Sequence, residues 1–276
     1  MYIKCWGSRG SIPVSGKNYL KYGGDTTCIE IRTKSDDIII IDAGTGIRRL
    51  GNKLIEEERF RYNFLFTHAH WDHLLGFPFF KPIFFNNSEL RIHKCPFPGT
   101  YAEKMISQIL ASPYFPGKQN AKIVFEKGCS EQFEIGSITV IPIRLSHPNG
   151  GSGYKFIENG KSFVFLTDNE LGNIHPGGLP SDDYLKFSIG ADLLIHDAEY
   201  TSKEYETFIK WGHSSFADVI DLSIKAEIKE LGLFHLNQER TDKEMDEIIK
   251  ACKKNITEKG HNLNCFAVRS DMTFNL

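Results

Sequence analysis

No two cysteines in this chain stand at C-x-x-C spacing. The six, Cys5, Cys28, Cys95, Cys129, Cys252 and Cys265, are scattered over 276 residues. In a short secreted chain that number would suggest a disulfide framework. A chain this long buries a large core without staples, and its opening residues, MYIKCW, read as a strand rather than a leader. The cysteines are therefore expected to be reduced and mostly buried, in a cytoplasmic protein. Long apolar runs are also missing. The longest candidate, GFPFFKPIFF, is broken by two prolines and a lysine, well short of the ~20 residues of a membrane span. No block of like charge forms a tail, and the net charge of −2 does not point to a broad polyanion-binding surface while leaving room for a local basic patch. There is no repeat, no low-complexity segment and no linker. A single domain over residues 1–276 is expected.

What is present is a series of strand-like runs rich in Ile, Val, Phe and Thr: YIKCW, TTCIEIRT, DIIIID, YNFLFT, ELRIHK, KIVFE, SITVIPIRLS, GYKFIE, KSFVFLTD, DLLIHD and LGLFH. Asn159–Gly160 between two of them predicts a hairpin. Helical spacing places Ile47, Leu50, Leu54 and Ile55 on one face, Phe216, Val219, Ile220 and Ile224 on another, and Met245, Ile248, Ile249 and Cys252 on a third. Thr100 with Glu103, Thr201 with Glu204 and Thr241 with Glu244 read as capping boxes. The pattern is α/β, with sheets covered by helices.

One run ends abnormally. YNFLFT is followed by His68-Ala69-His70-Trp71-Asp72-His73. Such density is either a polar turn or a metal nest. At a strand end alternate residues point the same way, so His68 and His70 can share one ion, and Asp72 with His73 a second. Imidazole and carboxylate together suit zinc and related ions. Three more groups of ligand type, His147, Asp168 and His235, each end a later apolar run. Together they make the metal reading dominant. The glycines of DAGTGIRRLG lack dinucleotide spacing and read as a tight turn beside the site. HPNGGSGY reads as a turn that lets His147 bend toward it. Arg9, in the loop GSRGSIPVSG, either meets a phosphate or is solvated. His175 is placed at the pocket, His196 is expected buried and hydrogen-bonded at its strand end, and His93 and His261 are ordinary polar residues.

THAHWDH, followed in order by His147, Asp168 and His235 and preceded by Asp42 in IIIIDAGTG, resembles the metallo-β-lactamase superfamily over nearly the whole chain. The resemblance implies an αββα sandwich of two mixed β-sheets flanked by helices, with the site at one edge. It implies two divalent metal ions, zinc first and manganese or iron as alternatives. One would be held by His68, His70, His147 and Asp168, the other by Asp72, His73, Asp168 and His235, with Asp42 orienting a ligand histidine. DLLIHDAEY and WGHSS resemble motifs of the phosphodiesterase branch that includes the transfer-RNA 3′-processing endonucleases. They imply an Asp197–His213 pair acting as general acid, where that branch often carries glutamate in place of Asp197. Asp72 would also orient the nucleophile, a hydroxide held between the metals.

The implied function is hydrolysis of a phosphodiester. The arm that grips RNA in the transfer-RNA enzymes has no counterpart between His147 and Asp168. A small phosphodiester or cyclic nucleotide is therefore favoured over RNA, with no membrane partner. Homodimerisation follows from the resemblance alone. The alternatives are a transfer-RNA-type endoribonuclease, a thioester or lactone metallohydrolase of the same fold, an iron redox enzyme, and a non-catalytic binding protein.

Overall fold

The computed structural model describes residues 1–93, 101–126 and 131–276. The first half runs β1 (Tyr2–Gly7), β2 (Cys28–Arg32), β3 (Ile38–Ile41), α1 (Ile47–Glu56), β4 (Arg61–Leu65), a single turn α2 (Trp71–Leu74), β5 (Glu89–His93), α3 (Tyr101–Ile109) and β6 (Lys122–Phe125). The second runs β7 (Phe133–Ile135), β8 (Ile138–Arg144), β9 (Ser152–Glu158), β10 (Lys161–Leu166), α4 (Ser181–Ser188), β11 (Leu193–Asp197), α5 (Ser202–Phe208), α6 (Phe216–Lys225), β12 (Glu230–Phe234), α7 (Asp242–Glu258), β13 (Asn264–Ala267) and β14 (Thr273–Asn275). Among the described residues they form two seven-stranded mixed sheets, ordered β14-β1-β2-β3-β4-β5-β6 and β13-β12-β11-β10-β9-β8-β7.

The four isoleucines of β3 show why these layers stack. A strand alternates its side chains between faces. Ile39 and Ile41 enter the core between the sheets, with Phe156, Phe163 and Phe165 opposite. Ile38 and Ile40 face the other way, into a core with Ile47, Leu50 and Leu54 of α1. A strand buried on both faces has no polar side. The second sheet repeats the arrangement: Val164, Leu166, Leu194 and Leu231 pack outward against Val219 and Ile220 of α6 and Met245 and Cys252 of α7. The result is the expected helix–sheet–sheet–helix sandwich. No helix among the described residues is long and apolar enough to cross a membrane.

Local signals are met as well. Asn159 and Gly160 both take positive φ, 50° and 74°, as the two-residue turn between β9 and β10 requires. Thr201–Glu204 and Thr241–Glu244 form full capping boxes. Thr100 lies outside the described residues, as do Cys95 and Cys129. Cys5, Cys28, Cys252 and Cys265 are free and buried.

What positions the site is strand direction. β3, β4, β5 and β6 are parallel to one another, and so are β10, β11, β12 and β13. Their C-terminal ends therefore open onto one rim of each sheet, where parallel sheets gather ligand-binding groups. Phe165 lies at the centre of the intersheet core, fully buried and edge-on to Phe234 at 5.3 Å. Phe165→Ala is expected to cost about 3–5 kcal/mol in urea unfolding; a cost under about 1 kcal/mol would contradict this packing.

Candidate metal centre

Asp42 follows β3, His68 follows β4, Asp168 follows β10, Asp197 ends β11 and His235 follows β12. His147 sits in the loop between β8 and β9. Asp42, Asp168 and His235 have left-handed φ of 60°, 54° and 56°. A non-glycine residue in that region costs about 1–3 kcal/mol and recurs at functional sites. Here it turns the Asp168 and His235 side chains toward a shared donor cluster and Asp42 toward the far side of the His73 ring.

Two four-residue donor clusters result, beside a third group of Asp197, His213 and His235. The ligand atoms of His68, His70, His147 and Asp168 all lie within 4.8 Å of one another, and so do those of Asp72, His73, Asp168 and His235. Asp168 belongs to both. Its Oδ2 is 3.5 Å from His68 Nε2, 3.8 Å from His147 Nε2 and 3.3 Å from His235 Nε2, while its Oδ1 is 3.3 Å from His73 Nε2. Asp72 Oδ2 lies 3.2 Å from His73 Nε2 and 3.1 Å from His235 Nε2, and accepts the Ser11 N–H at 2.9 Å.

The donors fit a divalent metal on their own chemistry. His68 Nε2 and His73 Nε2 are buried without a hydrogen-bond partner, a costly state that a metal–nitrogen bond relieves. Burial holds His68 well below the usual imidazole range and His147 down to about 3, so both keep a free lone pair. Burial would also discharge His73 and His235, but for His73 the charges of Asp72 and Asp168, and for His235 Asp168 with the Asp72 hydrogen bond, outweigh it and raise both. Protons there balance the buried carboxylates as a divalent cation would. The arrangement suits a divalent metal ion.

Behind the donors stand buried orienting groups. Asp42 accepts the N–H and the hydroxyl of Thr67, each at 2.7 Å, and meets His73 Nδ1 at 2.7 Å. His147 Nδ1 faces the Gly212 carbonyl at 3.0 Å. His235 Nδ1 faces Glu199 Oε2 at 2.9 Å. The structure also brings Asp197 to His213: Oδ2 and Nδ1 are 2.8 Å apart, so the shorter acid reaches. The His213 ring stacks on that of His235 at 4.4 Å. Ser215 caps α6 by accepting the Asp218 N–H, which fixes the GHSS segment at a helix start. The DAGTG stretch is the expected turn, with the Ala43 N–H donating to the His73 carbonyl at 2.7 Å.

Other expectations fare differently. Arg9 is neither solvated nor phosphate-facing. It is 1% exposed and donates to the carbonyls of Gly23, Asn237 and Arg240 at 2.8–3.0 Å. It pins the loop that brings Gly10 against the His235 ring. His175 is buried, 2.7 Å from Glu170 Oε2. Glu170 also accepts the N–H groups of Lys210 and Gly212, at 2.7 and 2.8 Å, and so holds the loop before His213. His196 is buried and bonded to the Asp197 carbonyl at 2.6 Å, as expected. His93 is half-buried against Phe133, and His261 is exposed. Sequence reasoning missed Glu170 and Glu199; the only signal was an acid closely following each strand-end aspartate.

Gly212 has φ of 97°, and a Cβ there would come 2.1 Å from His147 Nδ1. Gly212→Ala is expected to lose about 1–3 kcal/mol of stability and to displace His147. Denaturant unfolding checks the first and the His147 ring resonances the second; a variant unchanged in both contradicts this packing.

Comparison with known proteins agrees with this architecture. Residues 38–236 match the family described as "Beta-lactamase superfamily domain". Ribonuclease Z of Picrophilus torridus is 23% identical over 276 aligned positions, covering 86% of this chain and 85% of that protein. The metallo-beta-lactamase fold protein YhfI of Bacillus subtilis superposes with a TM-score of 0.69 at 16% identity, over 99% of this chain and 98% of that one. A diphosphatase of the PhnP family gives the same TM-score and identity over 100% and 97%. With its sandwich, its strand-end donors and a family match over more than half its length, this chain belongs to the metallo-β-lactamase superfamily, on the branch related to ribonuclease Z.

Proposed function

We propose that this chain hydrolyses phosphodiesters, and that its substrate is a small diester such as a cyclic nucleotide. The superfamily and the donor clusters make it a metal-dependent hydrolase. The step from hydrolase to phosphodiesterase rests on one observation, the buried Asp197–His213 pair at 2.8 Å. An alkoxide leaving a phosphodiester needs a proton, which a positioned acid supplies. Attack of hydroxide on a thioester carbonyl expels a thiolate, which makes no comparable demand. Burial opposes a charge on His213, but Asp197 outweighs it, with Glu199 adding to it, and the imidazole is pushed up to about 9. Burial pushes the Asp197 carboxyl up to about 6 although His213 opposes it. Of the two, the imidazole holds the proton at neutral pH.

His68, His70, His147 and Asp168 would hold one divalent ion, and Asp72, His73, Asp168 and His235 a second; zinc suits these donors first, manganese or iron next. Such ions, when bound, stabilise charge on phosphoryl oxygens and lower the pKa of water to about 7. Asp72, held by the Ser11 N–H, orients the attacking water. His213 gives its proton to the departing oxygen as the P–O bond breaks, and Asp197 holds the ring through Nδ1. The products are a phosphomonoester and an alcohol.

One feature supports a small substrate over an RNA, and a second supports a base in either. Between His147 and Asp168 the chain makes only the β9–β10 hairpin, closed by Asn159–Gly160. Trp71 and Trp211 are exposed (65% and 62%) and adjoin His70 and Gly212 in sequence. Stacking on such indoles contributes about 1–3 kcal/mol per base. The ribonuclease Z relatives favour a second reading, the same chemistry on an RNA.

His213→Ala is expected to slow a cyclic nucleotide by about 10²–10⁴-fold and to leave bis(p-nitrophenyl) phosphate nearly untouched, because p-nitrophenolate leaves without a proton. Equal losses on both would remove His213 from the role of acid. A panel with a 3′-extended transfer RNA, a thioester and a lactone tests the class. Cleavage of the RNA alone selects the second reading, and turnover of acyl substrates alone overturns both.

A further inference from the structure

The two donor clusters differ in what stands behind them. In the cluster completed by Asp72, both histidines are backed by carboxylates: Asp42 Oδ2 lies 2.7 Å from His73 Nδ1, and Glu199 Oε2 lies 2.9 Å from His235 Nδ1. In the other, His147 is backed by the Gly212 carbonyl at 3.0 Å and His68 by the Thr67 hydroxyl at 3.1 Å. A carboxylate behind an imidazole fixes the proton on Nδ1, aims the Nε2 lone pair at the ion and raises the ring's basicity. The clusters also differ in their own charge. Asp72 and Asp168 both belong to the first, whereas the second has Asp168 alone, shared.

Glu199 is the less expected of the two backing acids. It is 4% exposed. Its Oε1 accepts the Asn237 side-chain N–H at 2.7 Å. Among the described residues its ionic partners are two histidines: Oε2 is 2.9 Å from His235 Nδ1 and 3.5 Å from His213 Nε2. A buried carboxylate with no lysine or arginine beside it is costly, and a divalent cation held one imidazole away offsets that cost. The Glu199 N–H donates to the Ser214 carbonyl at 3.1 Å, tying the residue to the segment that carries His213. One carboxylate oxygen thus faces both a ligand histidine and the proton-bearing histidine, whose rings are stacked.

We propose that the Asp72–His73–Asp168–His235 cluster is the tighter of two divalent-cation sites, and that Glu199 is the positioning residue that makes it so by holding His235. This rests on reading the two clusters as metal sites. It goes beyond that reading in ranking them and in giving the rank a cause outside the donors themselves.

Zn²⁺ titration of metal-free protein against a chromophoric chelator resolves the two binding steps. Glu199→Ala is expected to weaken the tighter step by about 10–100-fold and to leave the weaker step in place. Glu199→Gln keeps an acceptor at the same position without the charge and is expected to recover only part of that loss, a graded response that a merely structural defect would not give. Circular dichroism of the metal-free variants reports folding independently. Both steps unchanged in Glu199→Ala, or both weakened equally, overturns the proposal while leaving the metal centre standing. Wild-type protein that takes up no zinc overturns the metal centre and this proposal with it.

Discussion

The carboxylate of Asp168 is the point on which the site depends. It is 1% exposed, and its two oxygens lie within 3.8 Å of four histidines drawn from both sheets. A buried anion must be matched by positive charge or hydrogen bonds. Here the match comes from imidazoles, which carry either a proton or a metal ion at the same nitrogen. The parallel runs of β3–β6 and β10–β13 bring these groups to one rim. The left-handed φ of Asp42, Asp168 and His235 turns them inward. That backbone strain persists because packing on both sides of each sheet leaves the chain no alternative.

Around this point the histidines divide by environment. His68 and His147 face a hydroxyl and a carbonyl, and burial keeps them neutral. His73, His235 and His213 each face a buried carboxylate and are raised. The first kind offers a lone pair. The second carries positive charge opposite a buried carboxylate, a place that a proton or a cation fills. One residue type thus takes two protonation states through its neighbours alone.

Much of this was legible in the sequence, for identifiable reasons. Eleven apolar runs appear as strands because two-sided burial leaves a dense Ile/Val/Phe signal. The donors stood out because each is a polar residue ending such a run. β7, β13 and β14 were missed. All three are edge strands, three or four residues long, held by pairing rather than by any pattern of their own. Arg9 was misjudged because a cation in a Gly/Ser loop gives no sign that three carbonyls from distant segments will enclose it. Glu170 and Glu199 were missed because a second acid just past a strand end looks like solvated loop. Their partners, the Gly212 N–H and His235 Nδ1, are brought near only by the fold.

The central claim is that two metal sites share one buried carboxylate. Metal content per chain, measured by mass spectrometry on wild type and Asp168→Ala after zinc loading and gel filtration, tests it most directly. Two ions are expected in the wild type and fewer than one in the variant, because both clusters lose a donor together. Retention of two ions by Asp168→Ala, or loss of only one, would contradict it.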